Sequence, residues 1–244
     1  MQAGEFFRFI RERRSVRRFK PTPIPDGYVE QIVEAARWAM SGANAQPWEF
    51  IVVRDRETVN KMADAWFEPR MEAYSIEQTR VEGLRHHQLS SSPKSPGFKD
   101  APALIVVLGD NRTYQATILA TNYITMEAGP GSIYLKNVAN ATQYLCLAAS
   151  ALGLGAQWLS VDSVWGTSLK EILDVPVILD IHTIVPIGYA AYKPAPPYRR
   201  GLEEIIHYDK YDRDKYRSGE DIIKFLYHLR EQTKKAYGQE KSIL

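Results

Sequence analysis

The chain has 244 residues and a mass of 27.8 kDa, long enough to bury a large core within a single α/β unit. Apolar residues make up 45% of it and charged residues 25%, which excludes wholesale disorder and a fibrous chain. The formal net charge of +2 gives no reason to expect nucleic-acid binding, and a single cysteine excludes an internal disulfide and a multi-cysteine metal site.

The hydropathy pattern predicts a protein without membrane contact. The apolar runs at 101–108 and 145–155 are too short to cross the ~30 Å core of a bilayer. The first residues carry charges on both sides of their aromatic side chains and lack the apolar core of a signal peptide. We therefore expect a cytoplasmic location, with Cys146 as an inert thiol inside an apolar helix.

Apolar spacing in the first hundred residues predicts helices at 4–12, 26–40 and 55–66 and a strand at 50–53. Asp26 is the expected N-cap of the second helix, and Asp55 is expected to start the third. The polar stretch 67–100 has no persistent apolar stripe. A segment of that length inside a compact domain is typical of a lid over a binding site.

The second half alternates strands and helices. Strands are predicted at 101–108, 156–161 and 181–188, and helices at 133–152 and 168–173, with Gly153 ending the long helix. The fold class is therefore α+β, a single domain over 1–244 with a central mixed sheet flanked by helices.

The tail from 203 to 244 contains one amphipathic helix, marked by Ile222, Phe225, Leu226 and Leu229. A helix placed after the last strand has little of its own core left to cover. We therefore expect it to wrap around a second copy of the chain in an intertwined homodimer.

A cluster of basic residues interrupts the balanced charge. Seven of the thirteen residues from Arg8 to Lys20 are Lys or Arg. Within it, Arg13, Arg14, Ser15 and Arg17 offer guanidinium forks and a hydroxyl that suit a terminal phosphate. The alternative is a solvated basic face. No glycine-rich phosphate loop follows a strand anywhere in the chain, so a bound phosphate would depend on these arginines.

Three further segments are candidates for a binding site. The loop with Ser41, Gly42, Asn44 and Gln46 lets a flat ring approach the backbone and supplies donors and acceptors for its edge, although it also suits a simple turn. Ser160 lies at a predicted strand end. Arg199 and Arg200 follow a long extended stretch. They could complete the phosphate site as a second basic pair, or they could form a solvated face.

Together the segments RRSVRRF, SGANAQPWEFIVV, LGLGAQWLS and PIGY…RRGLEEII resemble the nitroreductase family of FMN-dependent oxidoreductases. The resemblance covers about residues 6–208. Within that family, the sequence is similar to the subgroup that includes iodotyrosine deiodinases and the flavin-cleaving enzyme of cobalamin lower-ligand synthesis.

The resemblance implies a domain-swapped homodimer with two FMN sites at its interface. Arg13, Arg14, Ser15 and Arg17 would hold the phosphate and ribityl oxygens, joined by Arg199 or Arg200. Ser41 and Gly42 would line the flavin, with Asn44 and Gln46 nearby. Ser160, or the backbone N–H beside it, would face flavin N5 and tune hydride acceptance.

The implied reaction is ping-pong. NADH or NADPH reduces FMN at N5 and leaves, and a small oxidised acceptor such as a nitroaromatic or quinone then takes the electrons, without a protein nucleophile or a metal. Oxygen-dependent flavin cleavage and reductive dehalogenation are alternatives on the same fold. A non-enzymatic flavin-binding module is a third.

The sequence departs from the deiodinase subgroup in three places. Arg70 stands four residues before Tyr74, where that subgroup carries a glutamate, so the pattern for iodotyrosine recognition is incomplete. Met40 replaces a common proline, and an insertion spans 126–132.

Overall fold

The computed structural model describes residues 2–85, 91–113 and 130–237, with side chains described in these ranges except at 130–132 and 234–237. The chain divides into two compact units, Met1–Tyr192 and Lys193–Leu244. Part of the predicted insertion, 126–129, lies outside the described residues, and its remainder begins a helix.

The first unit combines long helices with a five-stranded sheet. Its helices are α1 Ala3–Glu12, α2 Tyr28–Arg37, α3 Arg56–Gln78, α4 Pro130–Ala151 and α5 Ser163–Ile172. Its strands are β1 Trp48–Val53, β2 Ala103–Gly109, β3 Gly155–Ala156, β4 Leu159–Ser160 and β5 Asp180–Gly188.

The sheet has the order β1-β2-β5, and both β3 and β4 pair with the other edge of β5. Every ladder is antiparallel, so the expected mixed sheet is corrected. Among the described residues the one parallel pairing is an isolated bridge between Ser15 and Ala156. Alternating strands and helices favour parallel neighbours. Here, however, the connection from β1 to β2 begins and ends at the same end of the sheet, which reverses the second strand.

Helices cover both faces of the sheet. Ile105 and Val107 of β2 pack in the cluster that holds α2 and α4, whereas the alternate residues Leu104 and Val106 pack with α3 and α5. Successive side chains of a strand point to opposite faces, so a fully buried strand needs a layer on each side. The predicted apolar run at 101–108 is this central strand, and it is buried along its whole length.

Several predicted boundaries are confirmed. α1 begins and ends within one residue of the prediction, and β5 matches 181–188 to within a residue. Asp55 caps α3 by accepting a hydrogen bond from the Thr58 N–H at 2.7 Å. Gly153, with φ +75°, follows α4 in the left-handed conformation that often ends a helix.

Two predicted details are wrong. Asp26 does not cap α2, because the N-cap is Gly27, which has φ +77° and makes no side-chain cap bond. The predicted strand 156–161 is broken into β3 and β4. In the register that pairs Ala156 with Ile187, residue 157 lies opposite Pro186, which has no N–H to donate to the ladder.

The predicted third helix is also longer than expected. α3 continues past Trp66 to Gln78 and carries Pro69 within it. About the first third of the predicted lid is therefore helical, although its apolar spacing gave no sign of this.

The second unit contains an extended stretch and α6, Gly219–Tyr237. The predicted amphipathic helix of the tail is confirmed. Phe225 is packed by the Tyr198 ring, at 6.3 Å between centroids, and by the Arg217 guanidinium at 4.3 Å from its ring. Ile222, Ile223 and Leu226 remain exposed.

Candidate functional site

The basic segment after α1 is docked against the edge of the sheet. The Val16 N–H donates to the Ala156 carbonyl at 2.9 Å, beside the bridge between Ser15 and Ala156. A Cβ at residue 155 would lie 2.5 Å from Val16 Cγ2, so only glycine allows this close approach. The segment from 13 to 17 is therefore held alongside β3.

The arginines of this segment differ in their partners. Arg14 donates to the backbone carbonyls of Arg11 and Arg13, the second at 2.9 Å. Arg13 and Arg17 are half-buried, and within the described chain neither guanidinium makes a hydrogen bond or an ion pair. Arg13 and Arg17 are thus two uncompensated cations, one two residues before Ser15 and the other two residues after it, and this combination of groups suits an anion.

The loop after α2 is a tight, strained bend. Ala43, Asn44 and Gln46 have φ values of 53°, 53° and 45°, in the left-handed region that non-glycine residues rarely adopt. The Ser41 hydroxyl accepts a hydrogen bond from the Gln46 N–H at 3.1 Å, and the Gln46 side chain donates to the Asn44 carbonyl at 3.2 Å. Such strain is often found at binding sites, where the surrounding structure maintains it.

Two asparagines of α4 hold this loop from the side. The Gly42 N–H donates to Asn137 Oδ1 at 3.0 Å, and Asn140 Nδ2 donates to the Met40 carbonyl at 2.8 Å. Asn137 is only 5% exposed, and its Nδ2 has no hydrogen-bond partner among the described residues. A buried donor without a partner is costly, which points to an acceptor supplied from outside the chain.

An open cleft of about 680 Å³ lies where these elements meet. It combines the strained loop, one face of α4 and an aromatic side chain from the break between β3 and β4. Its lining residues are Met40, Ser41, Gly42, Lys136, Asn137, Ala139, Asn140 and Trp158.

Sequence reasoning found the loop side of this cleft and missed the α4 side. A signal was present, because Asn137 and Asn140 are polar residues at helical i, i+3 spacing in a mainly apolar helix. Their contact with the loop joins positions 95 and 100 residues apart, and no local pattern reports that.

The remaining predicted residues belong to β4 and to the second unit. Ser160 is exposed at the end of β4, pairs with Thr183 and does not line the cleft, although Trp158 of the same segment does. Arg199 and Arg200 belong to the second unit. Arg200 pairs with Glu204 at 3.1 Å, whereas Arg199 donates only to the Tyr198 carbonyl, at 2.9 Å.

A second polar cluster lies at the start of β5. The Tyr134 hydroxyl donates to Asp180 Oδ2 at 3.2 Å and lies 3.0 Å from His182 Nε2. Burial raises the pKa of Tyr134 above its usual value, and desolvation lowers the pKa of His182. Both shifts favour the neutral form of the group.

Burial likewise raises the pKa of the Cys146 thiol to about 11 and makes it a poor nucleophile, as the sequence predicts. Across residues 2–85, 91–113 and 130–237, no three His, Cys, Asp or Glu side chains are placed to hold a metal ion. No helix within those ranges is long and apolar enough to cross a membrane.

Comparison with known sequences agrees with this arrangement. The family profile described as "Nitroreductase family" matches residues 10–189. A putative NADH dehydrogenase/NAD(P)H nitroreductase of Archaeoglobus fulgidus is 29% identical over 76% of this chain and 85% of its own. An iodotyrosine deiodinase of Haliscomenobacter hydrossis is 30% identical over 78% of this chain and 81% of its own.

Two solved structures share the fold. An iodotyrosine deiodinase bound to FMN and 3-iodo-L-tyrosine has a TM-score of 0.64 at 22% identity, covering 84% of this chain and 99% of its own. NfrA1 of B. megaterium has a TM-score of 0.67 at 18% identity, covering 96% of this chain and 84% of its own.

Proposed function

The chain belongs to the nitroreductase family, and on that premise we propose that it is an oxidoreductase that uses FMN to pass electrons from NADH or NADPH to a small oxidised acceptor. A nitroaromatic or quinone is the proposed acceptor class, with donor and acceptor occupying one site in turn. The observation that carries the proposal is the buried Asn137 Nδ2 beside the strained loop, which has no partner among the residues that the structure describes.

The residues present fit FMN at both ends of that molecule. When bound, FMN supplies hydride chemistry at N5 of its ring. Arg13 and Arg17, with the Ser15 hydroxyl between them, would hold the phosphate and ribityl oxygens. Arg14 would stabilise the bend, since it already donates to carbonyls of its own segment. Of the second pair, Arg199 is the proposed phosphate ligand, because Glu204 already compensates the charge of Arg200.

The ring would lie against the loop and α4. Asn137 would donate Nδ2 to a ring carbonyl while its Oδ1 keeps the Gly42 N–H satisfied. Ser41 and Gly42 would line the ring, with Asn44 and Gln46 beside it. Ser160, or the backbone N–H next to it, would provide the donor at N5. Each of these groups orients the ring and none acts as a nucleophile.

The phosphate assignment has a direct test. Protein purified without added flavin should be yellow and release FMN, and Arg13→Ala or Arg17→Ala should weaken FMN retention by about 1–3 kcal/mol, as for hydrogen bonds to charged groups. Arg8→Ala, an exposed member of the same basic cluster, is the control and should retain FMN normally. A colourless protein that fails to take up FMN would refute the proposal.

The ring assignment is tested by Asn137→Asp. This variant keeps the Oδ1 acceptor for the Gly42 N–H but replaces the Nδ2 donor by a carboxylate oxygen. We expect FMN affinity to fall about tenfold or more, because a donor becomes a repelling acceptor. Equal affinity measured by fluorescence titration would exclude Asn137 from the site.

Rapid-mixing reduction by NADH and by NADPH, followed by an acceptor panel under nitrogen and under air, separates the alternatives. Flavin cleavage consumes FMN only under air, and reductive dehalogenation releases halide from a halogenated acceptor. A non-enzymatic flavin-binding module binds FMN and oxidises neither nicotinamide.

A further inference from the structure

The two halves of α3 are held to the protein in different ways. Its first half is buried through Val59, Met62 and Ala63, and Trp165 Nε1 of α5 donates to the Met62 carbonyl at 3.0 Å. Beyond Pro69, Glu77 is the one buried residue of the helix. The second half is therefore not anchored by an apolar face.

Pro69 separates these two halves. Proline has no N–H, so the Ala65 carbonyl loses its helical donor, and the proline ring crowds the preceding turn. A helix is weakest at such a point and bends there most readily. We call the segment that follows, residues 70–85, the arm.

Arg70 reaches across this weak point and makes three contacts. Its Nη1 donates to the Trp66 carbonyl at 2.6 Å, and its guanidinium lies 4.1 Å from the centre of the Trp66 ring. Its Nη2 donates to Asp162 Oδ2 at 2.9 Å, joining residues 92 positions apart. One side chain thus holds the start of the arm to the helix before the break and to a distant element.

Asp162 is itself firmly placed. Its Oδ1 caps α5 by accepting from the Trp165 N–H at 2.9 Å. That hydrogen bond and the Arg70 guanidinium hold the pKa of Asp162 below its usual value, so it carries its negative charge at neutral pH. Asp162 also lies only two residues after Ser160, at the end of β4.

Tyr74 and Glu77 follow Arg70 at the spacing of one helix face, and that face is half-buried or buried while Ile76 points outward with 61% exposure. The arm therefore presents a polar inner face to the protein. The Arg70–Asp162 pair is the contact of this face with the segment that carries Ser160.

We propose that Arg70 is a positioning residue, which latches the arm to Asp162 and thereby shapes the acceptor side of the site next to Ser160. The latch is a property of the described contacts alone, whereas its effect on the acceptor rests on the proposed function. A residue that shapes the acceptor side without touching the flavin should affect acceptor binding more than the chemical step.

Hydrogen exchange of the full-length protein tests the latch. Arg70→Gln should accelerate exchange of the arm amides about five- to tenfold, as loss of an ion pair together with a cation–π contact predicts. Asp162→Asn should accelerate arm exchange by a smaller factor, because it removes the ion pair and leaves the Arg70 contacts with Trp66 in place. It should keep the α5 cap, because asparagine also caps helices well. Asp64→Asn is the matched control, since it removes the Lys99 pair at 3.6 Å from the first half of α3. Arm exchange equal to wild type in both latch variants would overturn the proposal.

The role of Pro69 has its own variant. Pro69→Ala restores the missing helical hydrogen bond to the Ala65 carbonyl and should slow arm exchange. In that background, Arg70→Gln should accelerate exchange by a smaller factor than in the wild type. An identical factor in both backgrounds would contradict a latch that acts across the proline.

Steady-state kinetics of the FMN-loaded protein completes the test. Arg70→Gln should raise KM for the acceptor about five- to tenfold, in step with the exchange, and leave kcat and FMN content near wild type. Accelerated exchange with an unchanged acceptor KM would overturn the effect on the acceptor and leave the latch standing. If the wild type binds no FMN and oxidises no nicotinamide, the proposed function fails, while the exchange result still decides the latch.

Discussion

Buried polar groups determine several properties of this protein. Asn137 places beside the cleft an amide nitrogen that has no partner among the described residues, and the buried Tyr134 hydroxyl forms a hydrogen-bond chain with half-buried His182 and exposed Asp180. Buried polar groups are costly unless they are satisfied, so each one either maintains the fold or awaits a ligand. His182 is one of the groups that maintain the fold, because its partner Tyr134 lies within the protein.

The pH dependence of stability tests His182. Desolvation lowers the pKa of His182 from 6.5 and outweighs the opposing effect of Asp180. When the pKa of a group is lower in the folded than in the unfolded state, the group stabilises the fold at pH values above its unfolded-state pKa. This stabilisation is lost as the pH falls through the folded-state pKa. Urea unfolding should therefore show a steeper loss of stability below about pH 6.5 in the wild type than in His182→Gln. The same slope in both proteins would contradict this.

At the scale of elements, the placement of the basic segment depends on one glycine. Gly155 allows Val16 to lie against β3, and so brings Arg13 and Arg17 to the sheet edge. A strand glycine is normally a cost, and here close backbone approach explains it.

Gly155→Ala should destabilise the protein by about 1–3 kcal/mol, because the new methyl group overpacks against Val16. Urea unfolding measures the change. Gly4→Ala is the control, since no atom lies within 4 Å of the added Cβ, and it should stabilise α1 by about 0.5–1 kcal/mol. Equal stability of the wild type and Gly155→Ala would show that the segment is not confined there.

At the scale of the whole molecule, α1 is an amphipathic helix without any buried residue. Its apolar side chains Phe6, Phe7 and Ile10 are 39%, 57% and 43% exposed. Exposed apolar faces of this kind mark interaction surfaces. We propose that a second copy of the chain covers this face.

Light scattering should therefore give twice the chain mass of 27.8 kDa. Phe7→Asp combined with Ile10→Asp should shift the protein toward the mass of one chain, since two charges would be placed in an apolar contact. Arg8→Ser, which removes an exposed basic side chain from the same helix, should leave the mass unchanged. A wild-type protein with the mass of one chain would exclude the homodimer.

Local patterns in the sequence are enough to predict several features of this protein. The apolar run of β2, the cap at Asp55, the stop at Gly153 and the burial of Cys146 all follow from periodicity and residue type within a few positions. Four ordered motifs were enough to identify the family, because their combination is specific although each one alone is not.

Other features depend on contacts between positions that are distant in the sequence, and these could be read only from the folded structure. The antiparallel sheet, the break opposite Pro186, the hold of Asn137 on the strained loop and the Arg70–Asp162 pair each join segments that are far apart in the chain. Their energies arise from burial and directed hydrogen bonds between elements, and local spacing contains no information about these. The loop side of the candidate site could therefore be predicted from the sequence, whereas the contact of α4 with that loop is seen only in the folded structure.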